Sequence, residues 1–126
     1  MTPGITLDAG ALIALDRDDR RMIVLLARAT ERGARITLPA TALAQAIRRP
    51  QQQVRVARLV RQPTIDVVPL DRVDATGVGR LLAASRTSDV VDAHVVMCAR
   101  RRGQAVVTSD VDDLHRLDPE LRVIGI

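Results

Sequence analysis

The chain has 126 residues, of which 47% are hydrophobic and 27% are charged, and its formal net charge is +4. This length predicts a single domain over residues 1–126, and the composition is too apolar for a disordered chain. All 19 lysine-plus-arginine positions are arginine, which excludes enzymes that need a Schiff-base lysine or a P-loop lysine. The absence of Phe, Tyr and Trp excludes aromatic platforms that stack on nucleic-acid bases.

The single cysteine, Cys98, excludes an intramolecular disulfide and a cysteine-rich zinc site. No apolar run approaches the roughly 18 residues that a membrane-spanning helix needs. The segment Met1–Asp8 lacks the basic and apolar regions of a signal peptide. We therefore expect a cytoplasmic protein with no membrane partner.

Short apolar runs alternate with longer helical patterns along the chain. The first half is predicted to contain a strand over Gly4–Asp8, helices over Ala9–Asp16 and about Arg20–Arg32, a strand over Ala34–Leu38, and helices over Ala40–Ile47 and from Pro50 to just before Pro63. The second half is predicted to contain a strand over Ile65–Pro69, a helix over Asp71–Ala84, a helix capped by Thr87 and Ser88 that runs to Arg102, a strand over Ala105–Ser109, a helical turn over Asp112–Leu117 and a strand over Leu121–Ile126. Strands that alternate with helices predict a parallel sheet covered by helices.

Four aspartates occupy positions where such a sheet places functional groups. Asp8 ends the first predicted strand, Asp110 follows the fourth, and Asp89 and Asp92 lie in the first turns of a predicted helix. Parallel sheets form their sites at the carboxyl ends of the strands. Carboxylates that converge there repel one another unless a cation lies between them, and the usual cation is Mg²⁺ or Mn²⁺. Each aspartate taken alone is equally compatible with helix capping or a solvated turn.

Three segments resemble the motifs of PIN-domain proteins, in particular the VapC toxins of bacterial VapBC toxin–antitoxin pairs. They are Leu7–Leu15 (LDAGALIAL), Ser88–Val96 (SDVVDAHVV) and Val107–Leu114 (VTSDVDDL), in the order that the family shows. The resemblance covers essentially the whole chain. It implies a PIN-like three-layer α/β/α fold with a central, mostly parallel sheet of about four to five strands. It also implies a Mg²⁺- or Mn²⁺-dependent endoribonuclease that a small antitoxin holds inactive.

The resemblance also assigns roles to individual residues. Asp8, Asp92 and Asp110 correspond to the metal-binding, catalytic carboxylates, and Asp89 to a further catalytic acid. The possible helpers are Gln45, Thr108, Asp112 and Asp113. Charge, and not the resemblance, adds candidates for binding the RNA backbone, each of which also suits a solvated helix face or a helix end. They are Arg48, Arg49, Arg55, Arg58, Arg61, Arg100, Arg101 and Arg102. The expected partners are RNA, a cognate antitoxin, and a second copy of the chain or a toxin–antitoxin hetero-oligomer.

One position departs from the family pattern. The family usually has a glutamate on the helix after the second strand, and the equivalent residue here is Gln45. A neutral amide adds no charge to a cation site and cannot act as a base. Either Asp89 supplies the missing charge and the site is active, or the site binds metal weakly and catalysis is slow or narrowly selective.

Three functions from different classes follow from these observations. The first is the toxin ribonuclease, and the second is a PIN-like RNA- or partner-binding module without effective catalysis. The third is a receiver- or phosphatase-like domain with an aspartate at a strand end, which commonly needs a lysine that this chain lacks. His94 and Cys98 lie four residues apart on one predicted helix face, but two ligands make an incomplete soft-metal site, and both are expected in the core.

Overall fold

The computed structural model describes residues 4–126. The strands are β1 (Ile5–Leu7), β2 (Ile36–Pro39), β3 (Ile65–Val68), β4 (Ala105–Thr108) and β5 (Val123–Gly125). The helices are α1 (Ala9–Asp16), α2 (Arg20–Glu31), α3 (Ala40–Ala46), α4 (Val54–Val60), α5 (Arg72–Ser85), α6 (Val90–Arg102) and α7 (Val111–Leu117). No helix among these residues is long and apolar enough to cross a bilayer.

The five strands form one sheet in the order β3-β2-β1-β4-β5, and every neighbouring pair is parallel. Successive side chains along a strand point to opposite faces of a sheet. Val107 accordingly packs in a core cluster with residues of α1, α2 and α4, whereas Val106 packs with residues of α5, α6 and α7. The predicted three-layer α/β/α fold with a parallel central sheet is therefore confirmed.

The order of the strands determines which strand ends lie side by side. β1 lies in the middle of the sheet, and its Leu7 is in register with Val107 of β4. The residues that follow, Asp8 and Thr108, therefore leave the same edge of the sheet side by side. Asp8 begins α1 directly, with no intervening loop. The carboxyl end of β1 is thus also the amino end of a helix.

Two predicted helix starts are wrong. The helix expected to open at Pro50 begins instead at Val54, and residues 50–52 form a turn. The buried side chain of Gln53 holds that turn, because its Oε1 accepts hydrogen bonds from the Arg48 and Arg49 amides at 2.9 and 3.0 Å. A buried amide group that satisfies several backbone groups can stop a helix from starting earlier.

The start of α6 also differs from the prediction. Asp89 caps the helix, where Thr87 and Ser88 were expected to do so. The Asp89 Oδ1 accepts a hydrogen bond from the Asp92 amide at 2.9 Å, whereas the Thr87 hydroxyl bonds with Ser85 Oγ at 2.9 Å. The first turn of α6 is therefore built by one candidate carboxylate holding the backbone of another.

Candidate functional site

Asp8 is a buried carboxylate that caps α1. Its Oδ1 accepts a hydrogen bond from the Ala11 amide at 2.8 Å, and the residue is 6% exposed. Burial raises the pKa of Asp8, and the negative charge of Asp110 adds to the rise. Hydrogen bonds from the Thr108 hydroxyl and the Ala11 amide lower the pKa and so oppose it. A capping role and a place in a charge cluster are thus combined in one residue.

Thr108 links the two strand-end aspartates. It is fully buried, and its Oγ1 accepts a hydrogen bond from the Asp110 amide at 2.8 Å. The same hydroxyl contacts the Asp8 carboxyl and lowers its pKa. Asp110 in turn caps α7, because its Oδ1 accepts from the Asp113 amide at 3.3 Å. One threonine therefore fixes the relative position of Asp8 and Asp110.

Asp92 lies in the first turn of α6 and is half-buried. Its pKa is raised to about 7, first by burial and then by the negative charges of four other aspartates. In decreasing order of effect these are Asp89, Asp8, Asp113 and Asp110. Four carboxylates that each raise the pKa of a fifth must lie close to it. The structure therefore brings together all four sequence-predicted acids and one predicted helper.

A cavity of about 220 Å³ opens beside this cluster. Its lining consists of Thr87, Ser88, Asp89, Asp92, Asp113, Arg116 and Leu117. Arg116 Nη1 lies 3.0 Å from Asp113 Oδ1, so one cation stands at the rim of the acidic wall. The Asp113 side chain is 43% exposed, and its pKa is raised, mainly by its contact with the Asp110 carboxyl. Asp112 is exposed and is not part of this lining.

Gln45 lies exposed on α3 and is not among the residues that line the cavity. Its helix is nevertheless joined to α6, because the Thr41 hydroxyl bonds with His94 Nδ1 at 2.7 Å. The site therefore reaches its charge density without an acid at position 45, since Asp89 and Asp113 contribute to the field at Asp92.

The arginines at the end of α6 are engaged within the fold. Arg100 pairs with Asp118 at 2.8 Å, Arg101 contacts the buried Asp74, and Arg102 pairs with Asp66 at 3.0 Å. Arg48 and Arg49 are exposed in the loop after α3 and take part in no ion pair among residues 4–126. Arg55 pairs with Asp18 at 3.1 Å.

A second surface lies along α2. The sequence offers the apolar segments Met22–Leu26 and Val54–Val60 as an antitoxin groove or a dimer face, with the core as an equal alternative, and the structure forms a cleft at the first of them. A cleft of about 570 Å³ lies between α2 and the sheet, and its apolar lining includes Val24, Leu25 and Ile126. Three arginines of α2 also line it, namely Arg20, Arg21 and Arg28, together with Arg32 at the end of the helix. The signal was present in the sequence as arginines that flank an apolar stripe on one helix. We name this surface the α2 cleft.

The donor set at the aspartate cluster suits a hard divalent cation. Its ligands are carboxylate oxygens, and within residues 4–126 neither Asp8, Asp92 nor Asp110 forms an ion pair with an arginine. Mg²⁺ and Mn²⁺ prefer oxygen ligands and bind through a few carboxylates together with water and phosphate oxygens. A cation at this place would remove the repulsion that raises the pKa of Asp92.

Comparison with known proteins agrees with this geometry. A protein-family model described as PIN domain matches residues 5–119. The fold is similar to that of FitAB bound to an IR36 DNA fragment, with a TM-score of 0.66 at 16% identity over 96% of this chain and 94% of the other. It is also similar to FitAcB from Neisseria gonorrhoeae, with a TM-score of 0.63 at 16% identity over 96% of each chain. For VapBC2 from Rickettsia felis bound to a promoter DNA fragment, the TM-score is 0.67 at 12% identity over 97% of this chain and 98% of the other. No curated protein sequence matches the chain. At these identities the structures support the fold.

Proposed function

The chain belongs to the PIN-domain family, and from that premise we propose that it is a metal-dependent endoribonuclease, the toxin of a toxin–antitoxin pair. PIN domains are generally nucleases. The observation that carries the proposal is the set of carboxylates at the ends of β1 and β4 and the start of α6. Burial and the negative charges of its neighbours raise the pKa of Asp92 in this set to about 7. Similar folds occur in toxin–antitoxin complexes, FitAB and VapBC2.

Asp8, Asp92 and Asp110 would hold the metal, and Asp89 adds negative charge beside them. Bound Mg²⁺ or Mn²⁺ lowers the pKa of a water and neutralises charge on a phosphodiester. The chain's own part is to fix the carboxylates: Asp89 caps the turn that carries Asp92, and Thr108 contacts both Asp8 and the Asp110 backbone. A hydrolytic reaction of this type needs no side-chain nucleophile.

The RNA backbone would approach across the cavity rim. Arg116 stands there beside Asp113, and an incoming phosphate offers it a second anionic partner. Arg48 and Arg49 are exposed with no acidic partner among residues 4–126, and they are better suited to phosphate than Arg100, Arg101 and Arg102, which hold acids of the fold. RNA would thus be held by charge and shape.

The purified chain is expected to cleave structured RNA in Mg²⁺ or Mn²⁺ and to lose this activity in EDTA. The physical reason is that the clustered carboxylates need a cation before a phosphodiester can approach them. Cleavage is followed on denaturing gels, with and without added metal. RNA that is bound but never cut, in either metal, would instead support the alternative function of a PIN-like binding module weakened by Gln45.

The antitoxin partner is proposed to dock in the α2 cleft. The cleft is apolar in its interior and carries three arginines of α2 together with Arg32, which follows the helix. Val24 is 40% exposed and Ile23 37% exposed on the same helix. An apolar floor with a cationic rim is complementary to an amphipathic protein segment that carries acidic residues. The assembly would be a toxin–antitoxin hetero-oligomer, with a homodimer of the toxin as its smaller alternative.

The double variant Arg21→Glu, Arg28→Glu reverses two charges of the α2 cleft. We expect it to weaken antitoxin binding at least about tenfold, because charges at the rim of an interface attract the oppositely charged partner. The partner to test is the product of a short reading frame that overlaps or directly precedes this one, and its affinity is measured by titration calorimetry. The matched control is Arg72→Glu with Arg80→Glu on α5, where both arginines are exposed. Equal affinities for the two double variants would move the docking surface elsewhere.

A further inference from the structure

A second set of metal-ligand side chains lies buried between α5 and α6, outside the aspartate cluster. It consists of Asp74, His94 and Cys98, which are 2%, 0% and 1% exposed. One ligand atom from each residue lies within 4.8 Å of the other two. Residues 4–126 hold no second group of histidine, cysteine and acidic side chains this close together. The proposed nuclease function makes no use of these three side chains.

His94 is oriented into this set by a hydrogen bond on its far side. Its Nδ1 bonds with the Thr41 hydroxyl at 2.7 Å, whereas its Nε2 is buried and has no hydrogen-bond partner. Nε2 lies 3.7 Å from Asp74 Oδ2, beyond hydrogen-bonding distance. A buried polar atom without a partner is costly and rare in a folded protein. In metal sites, the ring nitrogen of a histidine that does not bind the metal is usually fixed by a hydrogen bond, as the Thr41 hydroxyl fixes Nδ1 here.

We propose that Asp74, His94 and Cys98 bind one zinc ion. Nitrogen, sulfur and carboxylate oxygen are the donors that zinc takes, and Mg²⁺ does not select a sulfur ligand. Tetrahedral zinc with bonds of about 2.0–2.3 Å separates its ligand atoms by roughly 3.3–3.8 Å. The 3.7 Å between His94 Nε2 and Asp74 Oδ2 already lies in this range. The cysteine sulfur lies within 4.8 Å of the other two ligand atoms, so it must approach them by at most about 1 Å to reach this range.

Arg101 gives the proposed site its outer boundary. Its guanidinium contacts both oxygens of the Asp74 carboxylate, with Nη1 3.3 Å from Oδ2, and its side chain is 50% exposed. Because half of this side chain is exposed, a rotation of the guanidinium would free Oδ2 for a metal ion. The guanidinium is also an outer partner that orients the ligating carboxylate, as hydrogen-bonded partners of metal ligands do.

Zinc binding here requires the thiol to ionise. Burial raises the pKa of Cys98 to about 11, so without metal the thiol keeps its proton. Coordination forms a bond between sulfur and zinc and releases that proton to the buffer. The thiolate and the Asp74 carboxylate then balance the charge of the ion. The resulting bond network would tie α5 to α6 immediately behind the turn that carries Asp92.

Cobalt(II) tests the proposal because its thiolate complexes show a sulfur-to-metal charge-transfer band. We expect the chelator-stripped full chain to develop this band on addition of Co²⁺ and to lose it when Zn²⁺ is added. Cys98 is the only cysteine, so the band reports this residue alone. The aspartate cluster offers only oxygen ligands, and Asp8→Asn is expected to keep the band in full.

Two variants complete the test. Cys98→Ser is expected to abolish the band. His94→Gln is expected to weaken cobalt binding at least about tenfold, which is the lower end of the usual loss of affinity when a metal site is perturbed. Saturation of the wild-type chain with Co²⁺ without a thiolate band, or a band that survives in Cys98→Ser, would overturn the proposal. If either variant does not fold, the wild-type spectrum decides the question, because Cys98 is the only thiol that can give the band. Nuclease activity is not a readout, so failure here leaves the proposed function unaffected.

Discussion

Asp92→Asn is expected to abolish metal-dependent RNA cleavage and, in metal-free buffer at pH 8, to stabilise the fold. The two effects have opposite signs because the same charge that binds the cation is repelled when the cation is absent. We expect at least about a hundredfold loss of cleavage, the scale seen when a group that stabilises transition-state charge is removed. The gain in unfolding free energy is expected to be on the order of 2 kcal/mol.

The pH dependence follows from the direction of the shift. The pKa of Asp92 is raised from 3.8 to about 7 in the folded chain, so the unfolded state loses this proton first. Ionisation therefore costs the wild-type chain stability as the pH rises from about 4 to about 7. Asp92→Asn lacks this cost, and its advantage should be near zero at pH 4 and largest above pH 7.

Chemical denaturation at several pH values, with and without Mn²⁺, measures both effects. Mn²⁺ should stabilise the wild-type chain at pH 8 and should stabilise Asp92→Asn much less, since a ligand that binds only the native state raises its stability. Asp18→Asn is the matched control, because Asp18 is exposed at a positive φ that asparagine tolerates. A variant at position 92 that is no more stable than wild type at pH 8 would contradict the electrostatic account.

Gly4→Ala is expected to destabilise the chain by about 3 kcal/mol, the upper end of the usual cost of overpacking. A Cβ at Gly4 would lie 2.2 Å from the Arg35 carbonyl oxygen and 2.5 Å from Gln104 Nε2. That carbonyl accepts the hydrogen bond of the Ile5 amide at 3.0 Å. The collision therefore falls on the backbone that starts β1, the central strand whose far end carries Asp8.

Gly79→Ala is the matched control for this substitution. A Cβ at Gly79 meets nothing within 4 Å on α5, and replacing a glycine inside a helix with alanine stabilises it by roughly 0.5–1 kcal/mol. Urea denaturation of the two variants beside wild type should therefore give changes of opposite sign. A Gly4→Ala chain as stable as wild type would show that the β1–β2 contact can move apart freely.

The architecture was predictable from the sequence because strand and helix patterns alternate and the helix ends carry clear signals. Gly33 and Gly103 both adopt positive φ where helices were expected to stop. The boundaries that failed depend on competition between side chains. Thr87 bonds with Ser85 and leaves the cap of α6 to Asp89, and the buried Gln53 holds a turn after Pro50.

The acidic cluster was predictable because strand ends in a parallel sheet meet at one edge. Its electrostatics were not, since the pKa of Asp92 depends on four other aspartates and on burial. The ion pairs of Arg101 and Arg102 were likewise not predictable from the sequence. A run of arginines at a helix end is typical of a solvated terminus, but Asp74 and Asp66 arrive from 27 and 36 residues away in the chain. Likewise, the contact between His94 and Thr41 joins residues 53 positions apart.

RNA cleavage by wild type, Asp8→Asn and Asp18→Asn, compared side by side in Mn²⁺, tests the central claim most directly. Asp8 is buried at the end of β1, and asparagine keeps its size and its capping oxygen while removing one charge from the proposed cation site. We predict that wild type and Asp18→Asn cleave RNA at similar rates and that Asp8→Asn loses at least about a hundredfold in rate. Full metal-dependent cleavage by a folded Asp8→Asn chain would contradict the assignment of the aspartate cluster as the catalytic centre.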